Sequence, residues 1–188
     1  MENQRVRLSK TLLKNALIAL LQEKEIHKIT IYEICSLAQI NRTTFYKYYG
    51  SQYDLLNEIE NDLLCGVEAH LSSGSAFGVD VLERAFEYLI SEQEKCRALL
   101  NTVSDRCFPE RLFGLPTIRA ILDESLPKDL TPAQLAYVSL FFCQGGYAVI
   151  RRWLNNQCRE SPAEMSALIY SLRSSLFSES LGKLCTQK

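Results

Sequence analysis

Three helix starts crowd into residues 29–56, ITIYEICSLAQINRTTFYKYYGSQYDLL, and this constrains the fold more than any other feature of the chain. Thr30 followed by Glu33 is a capping box, in which hydroxyl and carboxylate each close a free backbone N–H. Asn41 is a good N-cap for RTTFYKYY, and Ser51 with Asp54 repeats the capping pattern before LLNEIENDLL. Ala38-Gln39-Ile40-Asn41 is just long enough to turn one short helix against the next. Ile31, Ile34, Cys35 and Ala38 share one face of the first helix, and Ile40 and Phe45 can meet them from the second. That is the layout of a helix-turn-helix, whose second helix can enter a DNA major groove.

With Phe45 turned inward, Arg42, Thr43, Thr44, Tyr46, Lys47 and Tyr48 are left on or near the outer surface. Arginine can fork onto guanine, and threonines and tyrosines can hold phosphate or touch thymine methyls. A helix that is merely solvated favours Glu and Lys over the two threonines and three tyrosines found here.

The net charge of −1 argues against a nucleic-acid partner only if it is evenly spread, and it is not. Residues 1–50 hold eight Lys/Arg against four acids, giving +4, and the remainder has 13 basic and 18 acidic residues, giving −5. A basic head on an acidic body fits a DNA-reading domain joined to a body that stays off the backbone.

TTFYKYYGSQYDLL, preceded by ITIYEICSLAQIN, resembles the DNA-binding domain of the TetR family of transcriptional regulators. The Thr-Phe-Tyr core, the following aromatics and the Ser-x-x-Asp-Leu-Leu entry to the next helix carry the resemblance over about residues 5–72. There are two departures: Gln39 stands where the family usually has glycine in the turn, and Gln52 where it usually has a phosphate-directed lysine. A residue with a Cβ is less at home at φ > 0, and Gln52 removes one charge-assisted phosphate contact. The resemblance implies that Arg42, Thr43 and Tyr32 touch bases. It implies that Thr30, Thr44, Tyr46, Lys47, Tyr48 and Gln52 mostly hold phosphates.

Around this motif the chain reads as all-α, about nine helices, with no strand alternation and no repeat. A first helix from about Leu8 to Glu23 carries Leu12, Leu13, Ala16, Leu17, Leu20 and Leu21 at helical spacing, and its Lys10 and Lys14 lie near phosphate or are simply solvated. A fourth helix from Gln52 to about His70 turns Leu55, Leu56, Ile59, Leu63 and Val67 inward. The small-residue stretch Ser72-Ser73-Gly74-Ser75 marks a boundary. The expected division is residues 1–50 for the helix-turn-helix domain, 51–72 for a connecting helix, and 73–188 for a C-terminal regulatory and dimerisation domain. Further helices are expected over Val79 to about Glu94, around Cys96–Val103, and over Pro109–Leu126 with a break at Gly114 and Pro116.

Two strongly signed helices close the chain, started by Thr131-Pro132-Ala133-Gln134 and Ser161-Pro162-Ala163-Glu164. The first is apolar over much of its circumference and needs cover on more than one side. Gly145-Gly146 in its middle costs on the order of 1 kcal/mol each, which a close helix crossing or a ligand would offset. The resemblance implies that these helices pair with their copies in a four-helix dimer interface, with Gly145, Ile150, Trp153, Leu168 and Leu172 as candidates. Intramolecular helices would also cover them.

The family body often holds a small-molecule cavity; Phe86, Phe108, Phe113, Tyr137, Phe141 and Tyr147 are candidates for its lining and read equally well as core. Phe-Cys-Gln-Gly-Gly followed by Ile-Arg-Arg-Trp-Leu is also similar to the subgroup that includes activators of dihydroxyacetone-kinase operons, some of which respond through a protein partner.

Seven cysteines, odd in number and never in C-x-x-C spacing, read as free thiols of a reducing cytosol, with redox sensing the minor alternative. His27 and His70 stand apart from any cysteine pair, so no metal is expected. With no Gly-rich phosphate loop and no nucleophile–base pairing, neither an enzyme nor a cofactor is expected. The polar N-terminus implies no signal peptide, and no run approaches the ~20 apolar residues of a membrane span, so a cytoplasmic protein is expected. The implied function is a homodimeric repressor on double-stranded DNA, released from a near-palindromic site by an effector. The alternative is a helical interaction protein or co-activator working through a protein partner.

Overall fold

The computed structural model describes residues 4–73, 78–101, 107–125 and 130–177. Their order is α1 (Gln4–Leu21), a 3-10 turn (Ile26–Lys28), α2 (Ile31–Ala38), α3 (Arg42–Tyr48), α4 (Gln52–Leu71), α5 (Val79–Ser91), α6 (Gln93–Asn101), α7 (Cys107–Phe113), α8 (Pro116–Ser125), α9 (Pro132–Asn155) and α10 (Pro162–Phe177). The fold is all-α. Among the described residues ten helices replace the expected nine or so, because α7 stops at Phe113 and α8 restarts with Pro116 at its first position, where a missing N–H costs nothing. Gly74, Ser75, Val103, Leu126 and Cys185 lie outside the described residues.

The helix starts obey the local chemistry. Thr30 and Glu33 close their box reciprocally, as do Thr131 and Gln134. Asn41 Oδ1 accepts the Thr43 N–H at 2.9 Å. Asp54 Oδ2 accepts the Gly50 N–H at 3.0 Å and the Ser51 N–H at 2.9 Å, and Glu164 Oε2 accepts the Ser161 N–H at 2.8 Å. Each satisfies backbone donors that a helix start leaves without a partner.

The chain divides into two compact units, Met1–Leu63 with Glu92–Arg106, and Leu64–Ser91 with Cys107–Lys188. In the first, α1 packs against α2 and α6. Leu13, Leu17, Ile26, Ile29, Ile34, Phe45, Leu55 and Ile59 are fully enclosed there, with Cys96, Ala98, Leu99 and Leu100 of α6 also buried. Among the expected core residues of α1, Leu12 is exposed, while Ile18 is buried in addition.

In the second unit α5 packs along α10, and α7 against α9. The Phe86 and Trp153 rings meet edge-on at 5.1 Å, and the Trp153 Nε1–H donates to the Glu160 carbonyl at 2.9 Å. Glu68, near the end of α4, accepts from the Thr117 N–H at 3.1 Å and from its hydroxyl at 2.7 Å, closing the start of α8.

One expectation needs correcting. At 24 residues, α9 is long and apolar enough to cross a membrane by length and composition. Counting uninterrupted apolar residues misses it because Gln134, Ser139 and Gln144 punctuate the run.

Candidate nucleic-acid interface

The first unit turns α2 into α3 at Gln39, whose φ of 54° and ψ of 37° are left-handed. The turn is closed by the Ile40 N–H on the Cys35 carbonyl at 2.9 Å and the Gln39 N–H on the Ser36 carbonyl at 3.2 Å. This is a Schellman-type ending, made here by a residue with a Cβ. The strain expected at Gln39 is therefore present.

From that turn, α3 is oriented by what it buries. Phe45 is fully enclosed, and its ring packs against Tyr49 at 5.6 Å and edge-on against Tyr46 at 5.7 Å. Arg42, Thr43, Tyr46 and Lys47 are left exposed, and Thr44 and Tyr48 half-buried. Tyr32, on the first turn of α2, is 68% exposed, and Gln52, opening α4, is half-buried. One helix face, flanked by the starts of two others, thus presents cation, hydroxyl and phenol to solvent, which are groups suited to phosphate and base edges.

Two sequence readings change, and one residue joins them. Tyr49, counted with the outer tyrosines, is 4% exposed and belongs to the core. Its exposed neighbour Tyr53, at 49%, went unremarked in the sequence although it stands beside Gln52. Thr30 is exposed, but its hydroxyl donates to Glu33 Oε2 at 2.9 Å and accepts the Glu33 N–H at 3.3 Å, so its proton is already committed.

The basic charge of this unit is partly neutralised internally. Lys24 pairs with Glu33, whose pKa falls from 4.5 to about 2 under hydrogen bonds from Lys24 and then from the Thr30 backbone and side chain. Lys14 Nζ lies 2.8 Å from Glu58 Oε1 and 2.6 Å from Asp62 Oδ2, and Lys10 Nζ lies 3.5 Å from Glu58 Oε1. Burial favours the neutral form of Lys14, but the hydrogen bonds and charges of Asp62 and Glu58 outweigh it and raise its pKa. Lys10 and Lys14 are half-buried and ion-paired rather than simply solvated, with partners up to 48 residues away in the chain, a pairing that helical periodicity does not encode.

In the second unit the six cavity candidates separate. Phe86 and Phe108 are buried, Phe113 and Tyr147 are half-buried, and Tyr137 and Phe141 are 73% and 64% exposed. A Cβ on Gly146 would stand 3.1 Å from Phe113 Cζ, so this glycine admits an aromatic ring of α7. A Cβ on Gly145 meets nothing within 4 Å. Among the dimer candidates, Gly145 is exposed, Ile150 is half-buried, and Leu168 and Leu172 are 47% and 44% exposed. Trp153 is 3% exposed: its ring and N–H are both engaged within its own chain, which removes it from an outer face. Burial pushes the Cys35 and Cys143 thiols up, against the opposing charges of Arg42 and Arg119. Such thiols ionise less readily than free cysteine.

Residues 79–175 match the family model TetR_C_8, "Transcriptional regulator C-terminal region". The chain is 24% identical over 163 residues to the uncharacterized HTH-type transcriptional regulator YxbF of Bacillus subtilis (strain 168), covering 85% of this chain and 43% of YxbF. It therefore spans less than half the length of that relative. A TetR transcriptional regulator from Streptococcus agalactiae 2603V has a similar fold, with a TM-score of 0.68 at 22% identity over 93% of this chain and 96% of that one. The dihydroxyacetone kinase operon activator DhaS follows, with a TM-score of 0.57 at 18% identity over 90% and 96% of the two chains. The fatty acid degradation regulator FadR from Bacillus halodurans has a TM-score of 0.60 at 14% identity, over 89% and 97%. With a helix-turn-helix at its head and a matching C-terminal region over more than half its length, the chain belongs to the TetR family of transcriptional regulators.

Proposed function

We propose that this protein is a cytoplasmic, homodimeric repressor that reads a near-palindromic DNA site and is released from it by an effector bound in its C-terminal unit. The observation that carries the reading is α3 itself. Phe45 anchors it from behind, and Arg42, Thr43, Tyr46 and Lys47 stand exposed along its length. Arg42, Thr43 and Tyr32 read bases; Thr44, Tyr46, Lys47, Tyr48 and Gln52 hold phosphates. Thr30 serves mainly as the N-cap of α2, its hydroxyl proton being committed to Glu33.

The exposed apolar residues of the second unit support the dimer. Tyr137, Leu140 and Phe141 on α9 and Leu168 and Leu172 on α10 are open to solvent in the single chain, an arrangement that marks an association surface. Gly145 lies on the same face of α9 and would let a partner helix approach closely. We assign Tyr137 and Phe141 to this surface, leaving Phe86, Phe108, Phe113 and Tyr147 as effector-lining candidates. A two-fold dimer offers two reading helices about one DNA turn (~34 Å) or a multiple apart.

A second reading, a co-activator working through a protein partner, is favoured by charge. Gln52 supplies no cation, and Lys10, Lys14 and Lys24 are tied to carboxylates, which lowers the electrostatic affinity available to the head acting alone. One experiment separates the two. The purified protein is mixed with genomic fragments, and what it retains is sequenced. A recovered near-palindrome supports the autonomous regulator; weak, salt-sensitive retention without a motif supports the partner-dependent reading.

A further inference from the structure

The reading helix α3 has only seven residues, too few to hold its own direction, so its aim is set by what grips its two ends. At its start the grip is the Gln39 turn. At its end it is Tyr49, whose N–H donates to the Phe45 carbonyl at 2.9 Å and whose ring packs against Phe45 and, at 6.4 Å, against Tyr48.

Two other helices converge on Tyr49. From α1, Lys10 Nζ stands 5.9 Å from the centroid of its ring. From α4 comes the Glu58 carboxylate, on which Lys14 and Lys10 share one oxygen, Oε1. Burial opposes ionisation of Glu58, but the hydrogen bond from Lys14 and the charges of Lys14 and Lys10 hold its pKa below the usual carboxylate value. Asp62, one turn further along α4, takes the other side of Lys14. Two lysines, two carboxylates and the buried Tyr49 ring thus join α1, α4 and the end of α3 at one node. Charge-assisted hydrogen bonds of this kind are shorter and more directional than neutral ones.

We propose that Glu58 is a positioning residue for DNA reading: through Tyr49 and the two α1 lysines it fixes the direction of α3, without touching DNA. The proposal rests on the DNA-binding reading above. A group that aims the reading helix affects discrimination between sequences, whereas a group that only supplies or hides charge affects all sequences alike.

The test uses the full chain, wild type and Glu58→Gln, on the selected site and on random DNA over a range of salt, with thermal unfolding alongside. Glu58→Gln keeps the side-chain size and removes the charge. The expected result is a loss of about tenfold on the selected site, with random-DNA affinity within about twofold and an unchanged salt slope. Tighter binding to both DNAs, with a salt slope steeper by about one or two per head, would overturn the proposal, because the carboxylates would then only withhold lysines from phosphate. A lower unfolding midpoint with unaltered discrimination by the folded protein overturns it too, since the role is then purely structural. Lys10→Met, which keeps the stem and removes the cation that joins Glu58 to the Tyr49 ring, carries the same comparison if Glu58→Gln does not fold; it should lose discrimination in the same direction, and full retention counts against the node. A wild-type chain that selects no sequence sinks the DNA-binding reading itself, before any variant is compared.

Discussion

Arg42 and Lys47 both stand exposed on α3, yet they answer different measurements. Arg42→Ala should cost about 1–3 kcal/mol on the selected site and relax the preference at one base position; equal losses on specific and random DNA would remove its base-reading role. Lys47→Ala should weaken all sequences alike and lower the salt slope by about one, read from titrations at several salt concentrations. Gln39 gives a stability test. It holds φ at 54°, a conformation that costs a residue with a Cβ about 1–2 kcal/mol, part of which glycine gives back as chain entropy. Gln39→Gly should raise the free energy of urea unfolding by roughly 0.5–1 kcal/mol, and an unchanged or lower value would show that the turn is not strained. At this scale the sequence is legible where chemistry is local. Asn41, Thr30–Glu33 and Ser51–Asp54 act within four residues of themselves, and each cap is as the pattern requires. Tyr49 and Lys14 were not legible in this way, because what buries or neutralises them comes from helices distant in the chain.

Among the elements, α2 is held at its start by an ionised box. The folded-state pKa of Glu33 is depressed to about 2, so its contribution to stability is fully present above its unfolded value of 4.5 and fades as pH falls toward 2. Glu58 and Glu164 are shifted in the same direction. Stability should therefore decline on acidification through this window, and Glu33→Gln should flatten part of that decline in a pH series of unfolding midpoints. The two glycines of α9 make a paired test. Gly146→Ala pushes a methyl toward the Phe113 ring at 3.1 Å and should destabilise the second unit. Gly145→Ala meets nothing in its own chain and should gain about 1 kcal/mol of helix propensity in the protomer while weakening self-association, if a partner helix crosses there. The sequence predicted the helices of the second unit, with α7 and α8 as one interrupted segment, but not which faces meet. Periodicity marks an apolar side without saying whether Phe86, Tyr137 or Trp153 finds its cover inside the chain or beyond it.

For the whole molecule, the apolar residues left open on α9 and α10 are the surface on which the proposed dimer is tested. Phe141→Glu or Leu168→Glu adds a charge to that surface without entering the protomer core. Each should shift light-scattering mass from dimer toward monomer and reduce binding to a two-half-site DNA far more than to a single half-site. A monomeric wild type would overturn the dimer, and with it the operator symmetry. The proposed dimer would account for the membrane-like composition of α9, because a helix that packs on its own unit on one side and on a second copy on the other is apolar nearly all round. Fold class and reading head were legible from one chain because helix-turn-helix contacts are local. The proposed assembly was not, because its contacts would belong to two chains.

Trp153 has a use of its own. It is the only tryptophan in the sequence, it is buried, and its indole N–H is bonded to the Glu160 carbonyl. Its fluorescence is therefore a label-free reporter confined to the packing of α5, α9 and the loop into α10. Candidate effectors can be screened by emission wavelength and intensity alone: a compound that loosens the Phe86 contact should shift the emission to the red, whereas a spectator should leave the spectrum as it was.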